Sequence, residues 1–328
     1  MVRGKKMHKV RGKILLFLYL VAVCFTATSC QASEYDWKRL QPESWKLVRM
    51  AVDPISSDLI LVDIGKNKTL FYNSLVDLEP RDVIPDFDIM HIRGLWLSGD
   101  LWVFTGDELM SYGLGLSGEG EWKTQYRLSG PKATLDFYAA PNGDVLFLPF
   151  ETRTIFICQH AVIEKTILLP EAPDGIVGIA QDHNQAIWAL SKIGNLYQYQ
   201  AGADAWQPAG QVDSGERGTS TAKDLYVDAS DNLWAVMEDG VYEFFPATGE
   251  SVLIQNDIPG NNFEDIFFPD NETTWIVTDA GITAYQDGSA RIIGLPWDVE
   301  YIWDAAYDPV TGKVFISAVE GVYYRQTK

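Results

Sequence analysis

The feature that most constrains this 328-residue chain is an internal period of about 42 residues, present seven times. A polar turn, an apolar–aromatic–apolar run, a second turn and a run rich in Tyr or Phe recur together. The clearest copy is Asp228-Ala229-Ser230-Asp231-Asn232-Leu233-Trp234-Ala235-Val236-Met237-Glu238-Asp239-Gly240-Val241-Tyr242-Glu243-Phe244-Phe245-Pro246. Other copies centre on Trp102, Trp188, Trp275 and Phe315, with weaker ones at Ile60 and Leu146. The centres fall at 60, 102, 146, 188, 234, 275 and 315, spaced by 42, 44, 42, 46, 41 and 40 residues. A fixed period of this length marks a repeat architecture, in which each unit buries its apolar faces only against its neighbours.

Each unit reads as four short strands. In the fifth they are Asp224–Asp228, Leu233–Met237, Val241–Phe245 and Ser251–Gln255, separated by turns carrying Asp, Asn, Gly and Pro, the residues that preset turns or accept positive φ. Eleven Trp, 15 Tyr and 15 Phe favour strands over helices, and no segment after Cys30 carries a helical apolar stripe. Four antiparallel strands in such a span make a propeller blade rather than a solenoid coil. The expected fold is therefore all-β: a seven-bladed β-propeller of four-stranded antiparallel blades. The Trp, Ile or Phe of each second strand is expected to fill the space between adjacent blades. The seventh unit stops after its third strand, Val322-Tyr323-Tyr324-Arg325. Asp36–Pro42 has the strand-then-Pro form that ends units three (Leu168-Leu169-Pro170) and six (Gly294-Leu295-Pro296). An N-terminal strand is thus expected to complete the last blade and remove an open sheet edge.

The first residues read as an address. Met1–Lys13 carries Arg3, Lys5, Lys6, Lys9, Arg11 and Lys13 with no acid, followed by the apolar run Ile14–Phe25 and the small polar Thr26-Ala27-Thr28-Ser29-Cys30. That order is a secretory signal, and its apolar run is short for a membrane-spanning helix. Ala27-Thr28-Ser29-Cys30 resembles the bacterial lipobox, with Ala where the first position usually holds Leu. The resemblance implies acylation of Cys30 and a lipid anchor on the extracytoplasmic side of a membrane; ordinary cleavage around Ala27 to Ala32, releasing a soluble protein, is the alternative. The expected organisation is a lipoprotein signal peptide over 1–29, a tether over 30–34 and the propeller over 35–328. Removing residues 1–29 leaves 20 basic against 45 acidic residues, a net charge of 20 − 45 = −25. Such a chain repels phosphate backbones, so no nucleic-acid partner is expected. Beyond the signal only Cys30 and Cys158 remain. Cys158, in the apolar Thr154–Cys158, is expected to be a buried thiol, with a Cys30–Cys158 disulfide the alternative where Cys30 is not acylated.

Asp231-Asn232-Leu233-Trp234-Ala235-Val236-Met237-Glu238-Asp239-Gly240-Val241-Tyr242 resembles the propeller repeat of two-component regulators, and Gln185–Tyr199 and Thr273–Tyr285 match it more loosely. The resemblance covers residues 46–325. It implies an extracytoplasmic sensing or binding module; the sequence shows no kinase or output domain, so signalling within the chain is not expected. Streptogramin-type lyases also have seven blades and use a histidine above the channel with metal-bound acids. Only His91 lies near that face here, so that resemblance extends to the fold alone.

The residue ten positions before each repeat centre marks the start of an innermost strand. These are Arg49, Gly94, Asp136, Gly178, Asp224, Asp265 and Asp304. Four carboxylates at one channel mouth suit a hydrated divalent cation or a cationic ligand; alternatively each accepts hydrogen bonds from its own inter-blade loop. The adjoining loops carry Trp45, His91, Phe263, Trp297, Tyr301 and Trp303, aromatics that suit a sugar, a peptide or a quaternary amine. Packing between blades is the better reading for Trp303. His160 and His183 are not expected to converge, and no nucleophile elbow, His-Glu-x-x-His or phosphate loop is present. The turns Asp53–Asp58 and Asp228–Asn232 read as hairpin turns rather than calcium loops. The expected function is a non-catalytic binding or protein-interaction module of the cell envelope. Its partners are the membrane, through lipid, and an envelope protein or small solute. A solute, glycan or cation receptor at Arg49, His91, Asp136, Asp224, Asp265, Trp297, Tyr301 and Asp304 is the alternative, and a metal-dependent lyase or hydrolase a further one.

Overall fold

Seven four-stranded antiparallel sheets make up the computed structural model. It describes residues 37–41, 48–64, 68–73, 77–82, 94–98, 100–105, 108–113, 121–127, 135–140, 142–149, 153–159, 162–172, 174–212, 220–255, 263–270, 272–286, 288–296 and 298–327. Residues 1–34, expected to be signal and tether, lie outside the described residues, as do Trp45, His91, His160 and Trp297. Lys38–Lys328 forms a single unit.

In six sheets the strands follow one another in chain order. Blade five is Ala222–Val227, Leu233–Met237, Gly240–Phe245 and Glu250–Gln255, within two residues of the sequence reading throughout. The second strands of the seven blades are Asp58–Asp63, Asp100–Phe104, Val145–Pro149, Ile187–Ser191, Leu233–Met237, Thr273–Thr278 and Lys313–Ala318. Each contains a repeat centre.

The centres fill the space between blades. Trp102 and Phe104 of blade two pack with Val145, Phe147, Phe156 and Cys158 of blade three. Trp188 of blade four packs into Leu225, Leu233 and Phe244 of blade five, and Trp234 of blade five against Ile266 and Ile276 of blade six. Stability is therefore distributed over interfaces rather than held in one central core, since a single twisted sheet has no second layer of its own. Cys158 is 1% exposed, and burial pushes its thiol up to about 12. It is an inert packing residue.

The seventh sheet closes the ring. Lys38–Gln41 pairs antiparallel with the third strand of blade seven, Gly321–Gln326, with Lys38 opposite Tyr324 and Arg39 opposite Tyr323. Leu59, Leu61 and Tyr72 of blade one share a core with Phe315 and Val322 of blade seven. The buried Ser57 hydroxyl donates to Asp308 Oδ1 at 2.7 Å across the same seam.

A common turn joins the innermost strand to the second. Ser57, Gln185 and Asp231 have φ of 61°, 64° and 63° there, and Gly143 and Gly312 have 88° and 67°. An aspartate at its start absorbs the free backbone donors: Asp53 Oδ1 accepts from the N–H of Ile55 (2.8 Å) and Ser56 (3.0 Å), Asp228 Oδ1 from Ser230 (2.8 Å) and Asn232 (2.9 Å). Asp182 and Asp228 also accept the indole N–H of Trp188 and Trp234, each at 3.0 Å. The Asp-to-Trp spacing of six thus ties each turn to the plug between blades. These carboxylates are occupied by the chain's own donors, as hairpin turns require.

Candidate functional site

The innermost strands, Val48–Val52, Gly94–Ser98, Leu135–Ala139, Ile176–Gln181, Ala222–Val227, Phe263–Phe267 and Ile302–Asp308, surround an axial channel with a cavity of ≈ 640 Å³. Arg49, Asp136, Asp224, Asp265 and Asp304 all line it, as their place in the repeat required. Four of these strands carry a β-bulge near their start, between Ile176 and Gly178, Ala222 and Asp224, Phe263 and Asp265, and Ile302 and Asp304. A bulge re-aims the side chains beside it. In blade six it brings the bulged residue itself, Glu264, into the channel next to Asp265. Gly178 takes the aspartate's place in blade four because a Cβ there would meet Leu225 N at 2.9 Å.

Each aspartate is held by a backbone donor. Asp136 Oδ2 accepts from Ile179 N–H at 2.8 Å, on the next blade, and Asp304 Oδ2 from Met50 N–H at 2.8 Å, across the ring closure. Asp224 Oδ1 and Asp265 Oδ1 accept from the N–H of their own successors, Leu225 and Ile266, each at 2.8 Å. The Tyr226 hydroxyl donates to Asp224 Oδ2 at 2.9 Å, and the Asp265 carboxyl lies close enough to help burial and Asp224 push that phenol up. The ring therefore serves the fold, Asp136 and Asp304 by joining neighbouring blades, and still presents acid to the channel.

Crowding carboxyls into a narrow channel disfavours their charged forms. Burial pushes Asp224 up to about 6 against its backbone and Tyr226 bonds. Burial also raises Asp304 to about 6, opposed first by the Arg49 guanidinium. Glu264 rises to about 7 through burial and then repulsion by Asp304. Asp136 and Asp265 stand well above the usual carboxylate range, again chiefly through burial. The only basic side chains among the described lining residues are Arg49 and His183. Between the acids and the far end the wall is aromatic, with Trp96, Phe137, Tyr138, Tyr226, Phe267 and Tyr307; Trp96 and Phe137 stack with their planes 4° apart.

Two further residues singled out in the sequence are described. Tyr301 is 41% exposed, stands edge-on to Trp303, and is not among the described residues lining the channel. His183 does line it, but at the opposite end, in the turn after Gln181, where its Nδ1 lies 2.8 Å from Asp231 Oδ1 of blade five. Among the described residues no three His, Cys, Asp or Glu side chains gather closely enough to hold a metal ion. The aspartates surround the channel rather than converge on one point. Sequence reasoning missed Glu264 and Tyr226.

No family model and no curated protein matches the chain. Solved structures do. Virginiamycin B lyase from Staphylococcus aureus superposes with a TM-score of 0.66 at 12% identity, over 88% of this chain and 97% of that one. A catalytically inactive histidine-to-alanine variant of that lyase, solved with quinupristin, gives 0.67 at 12%, over 89% and 98%. The extracellular domain of a putative hybrid two-component system from B. thetaiotaomicron gives 0.65 at 12% identity and a second gives 0.63 at 15%. The match shows the fold alone. The chain spans about two fifths of those B. thetaiotaomicron chains, 39% and 41%, and covers 88% and 89% of itself in doing so. The propeller expected from the repeat is thus the fold both of a lyase and of extracellular domains in two-component systems.

Proposed function

We propose that this chain is an exported, membrane-tethered binding propeller that takes a cationic solute into the acidic end of its channel and leaves it chemically unchanged. The observation that carries this reading is the company of five carboxyl groups and several aromatic rings on one cavity of ≈ 640 Å³. A cation entering there restores the charged form of carboxyls that burial had raised, and an aromatic face within reach adds about 0.5–2 kcal/mol. Export is supported by the basic, apolar and small-residue order of residues 1–30 and by the likeness to extracellular domains.

Thermal-shift titration tests the reading, with spermidine and tetramethylammonium as cationic probes and glucose as a neutral one. The expected result is stabilisation by a cation but not by glucose, with affinity lowered about tenfold or more, ~1.4 kcal/mol, in Asp224→Asn/Asp265→Asn. Equal affinity of that variant, or no cation binding while an envelope protein co-purifies stoichiometrically, contradicts it and favours a protein-interaction scaffold.

A further inference from the structure

The ring closure fixes the end of the propeller at which the N-terminal segment joins it. Lys38–Gln41 runs antiparallel to Gly321–Gln326, so the chain enters the blade at the end where the third strand leaves it. That end is marked by Gln326, opposite Lys313, and by Thr327 N–H, which donates to the Gly312 carbonyl at 2.9 Å. The tether therefore joins on the face of the inner-to-second-strand turns. The Arg49–Asp304 mouth is at the other end, where Ile302 pairs with Ala318.

The tips of those turns differ around the ring. In blades three to six they expose Asn142, Asn184, Ser230 and Asp270. In blades one and seven they expose Ile55, 63%, and Val310, 53%. These are the blades flanking the tether, and the Ser57–Asp308 bond holds the two turns together. Eight residues, Cys30 to Trp37, precede the closing strand, and they reach at most about 28 Å when extended. The height of the blade, from the seven-residue Ile302–Asp308, is about 23 Å. Doubling back from Lys38 to the mouth face would take up most of the tether; leaving from the turn face takes up little. Tyr35 and Trp37, next to Lys38 in sequence, are residue types that favour the membrane interface.

We infer that the propeller stands on its turn face, with Ile55 and Val310 in the interfacial layer of the bilayer that holds the anchor and the acidic mouth turned away from it. The inference rests on the membrane-tethered reading. It places the mouth where a solute reaches it from the open side.

The test uses the full acylated protein in phosphatidylcholine vesicles, with a fluorophore on Ile55→Cys, Val310→Cys or, at the opposite end, Val319→Cys, and a spin-labelled lipid as quencher. Cys158 is buried and does not compete for the label. Emission at 55 and 310 is expected to fall roughly twofold or more, as for side chains set into the headgroup boundary, and emission at 319 to stay unchanged. An intact mass without an acyl group on Cys30 overturns the tethered reading and the inference with it. An acylated protein quenched at 319, or alike at all three sites, overturns the inference alone.

Discussion

Trp102→Ala should lower the unfolding free energy by about 3–5 kcal/mol, the range for truncating a large buried aromatic. Trp102 is 1% exposed and fills the seam between blades two and three with Phe104, Phe147 and Phe156. Its neighbours sit on strands already hydrogen-bonded on both sides, so they cannot close the gap without breaking ladder bonds. The effect is read from the urea midpoint at unchanged m. Val252→Ala on an outer strand, 48% exposed, should shift it by about 0.5 kcal/mol or less. Equal shifts for the two variants contradict the assignment of stability to the seams.

The second large effect is on pH dependence. Unfolded carboxyls titrate near 4, whereas in the fold burial holds Asp224 and Asp304 at about 6 and Glu264 at about 7. Between these values the native state binds more protons than the unfolded chain, so stability is greatest on the acid side and declines as pH rises through 6 and 7. From pH 5 to pH 8 the loss should be about 3 kcal/mol, discounted for the solvent in the channel. Asp224→Asn/Asp265→Asn keeps an oxygen for the Leu225 and Ile266 N–H bonds while removing charge, so it should flatten the decline and be more stable than the parent at pH 8. Glu164→Gln/Glu171→Gln, at exposed positions, removes the same charge and should leave the slope intact. A parallel change in both variants would assign the slope to net charge instead.

The seven blades were legible because the seam residues are large and recur: Trp102, Trp188, Trp234, Trp275 and Phe315 each sit one turn after a polar cluster. The closing strand was legible because Asp36–Pro42 repeats the form of other outer strands. The channel aspartates followed from their fixed distance to the seam residue. Glu264 did not, because strict alternation points it away from Asp265 and only the bulge between Phe263 and Asp265 brings it round. One extra residue in one strand has no compositional mark. Tyr226 was missed because its hydroxyl, bonded to Asp224, comes near the Asp265 carboxyl of the next blade, a proximity set by ring curvature rather than by spacing along the chain. Tyr301 precedes Ile302 at the mouth end but is exposed rather than part of the cavity lining.

The most direct measurement is calorimetric titration of spermidine at pH 6.5 in two buffers of different ionisation enthalpy. If the cation seats among carboxyls that burial keeps partly protonated, binding releases protons, and Asp224→Asn/Asp265→Asn both weakens binding and reduces the release. Binding with no proton release, or release unchanged in that variant, would contradict the account.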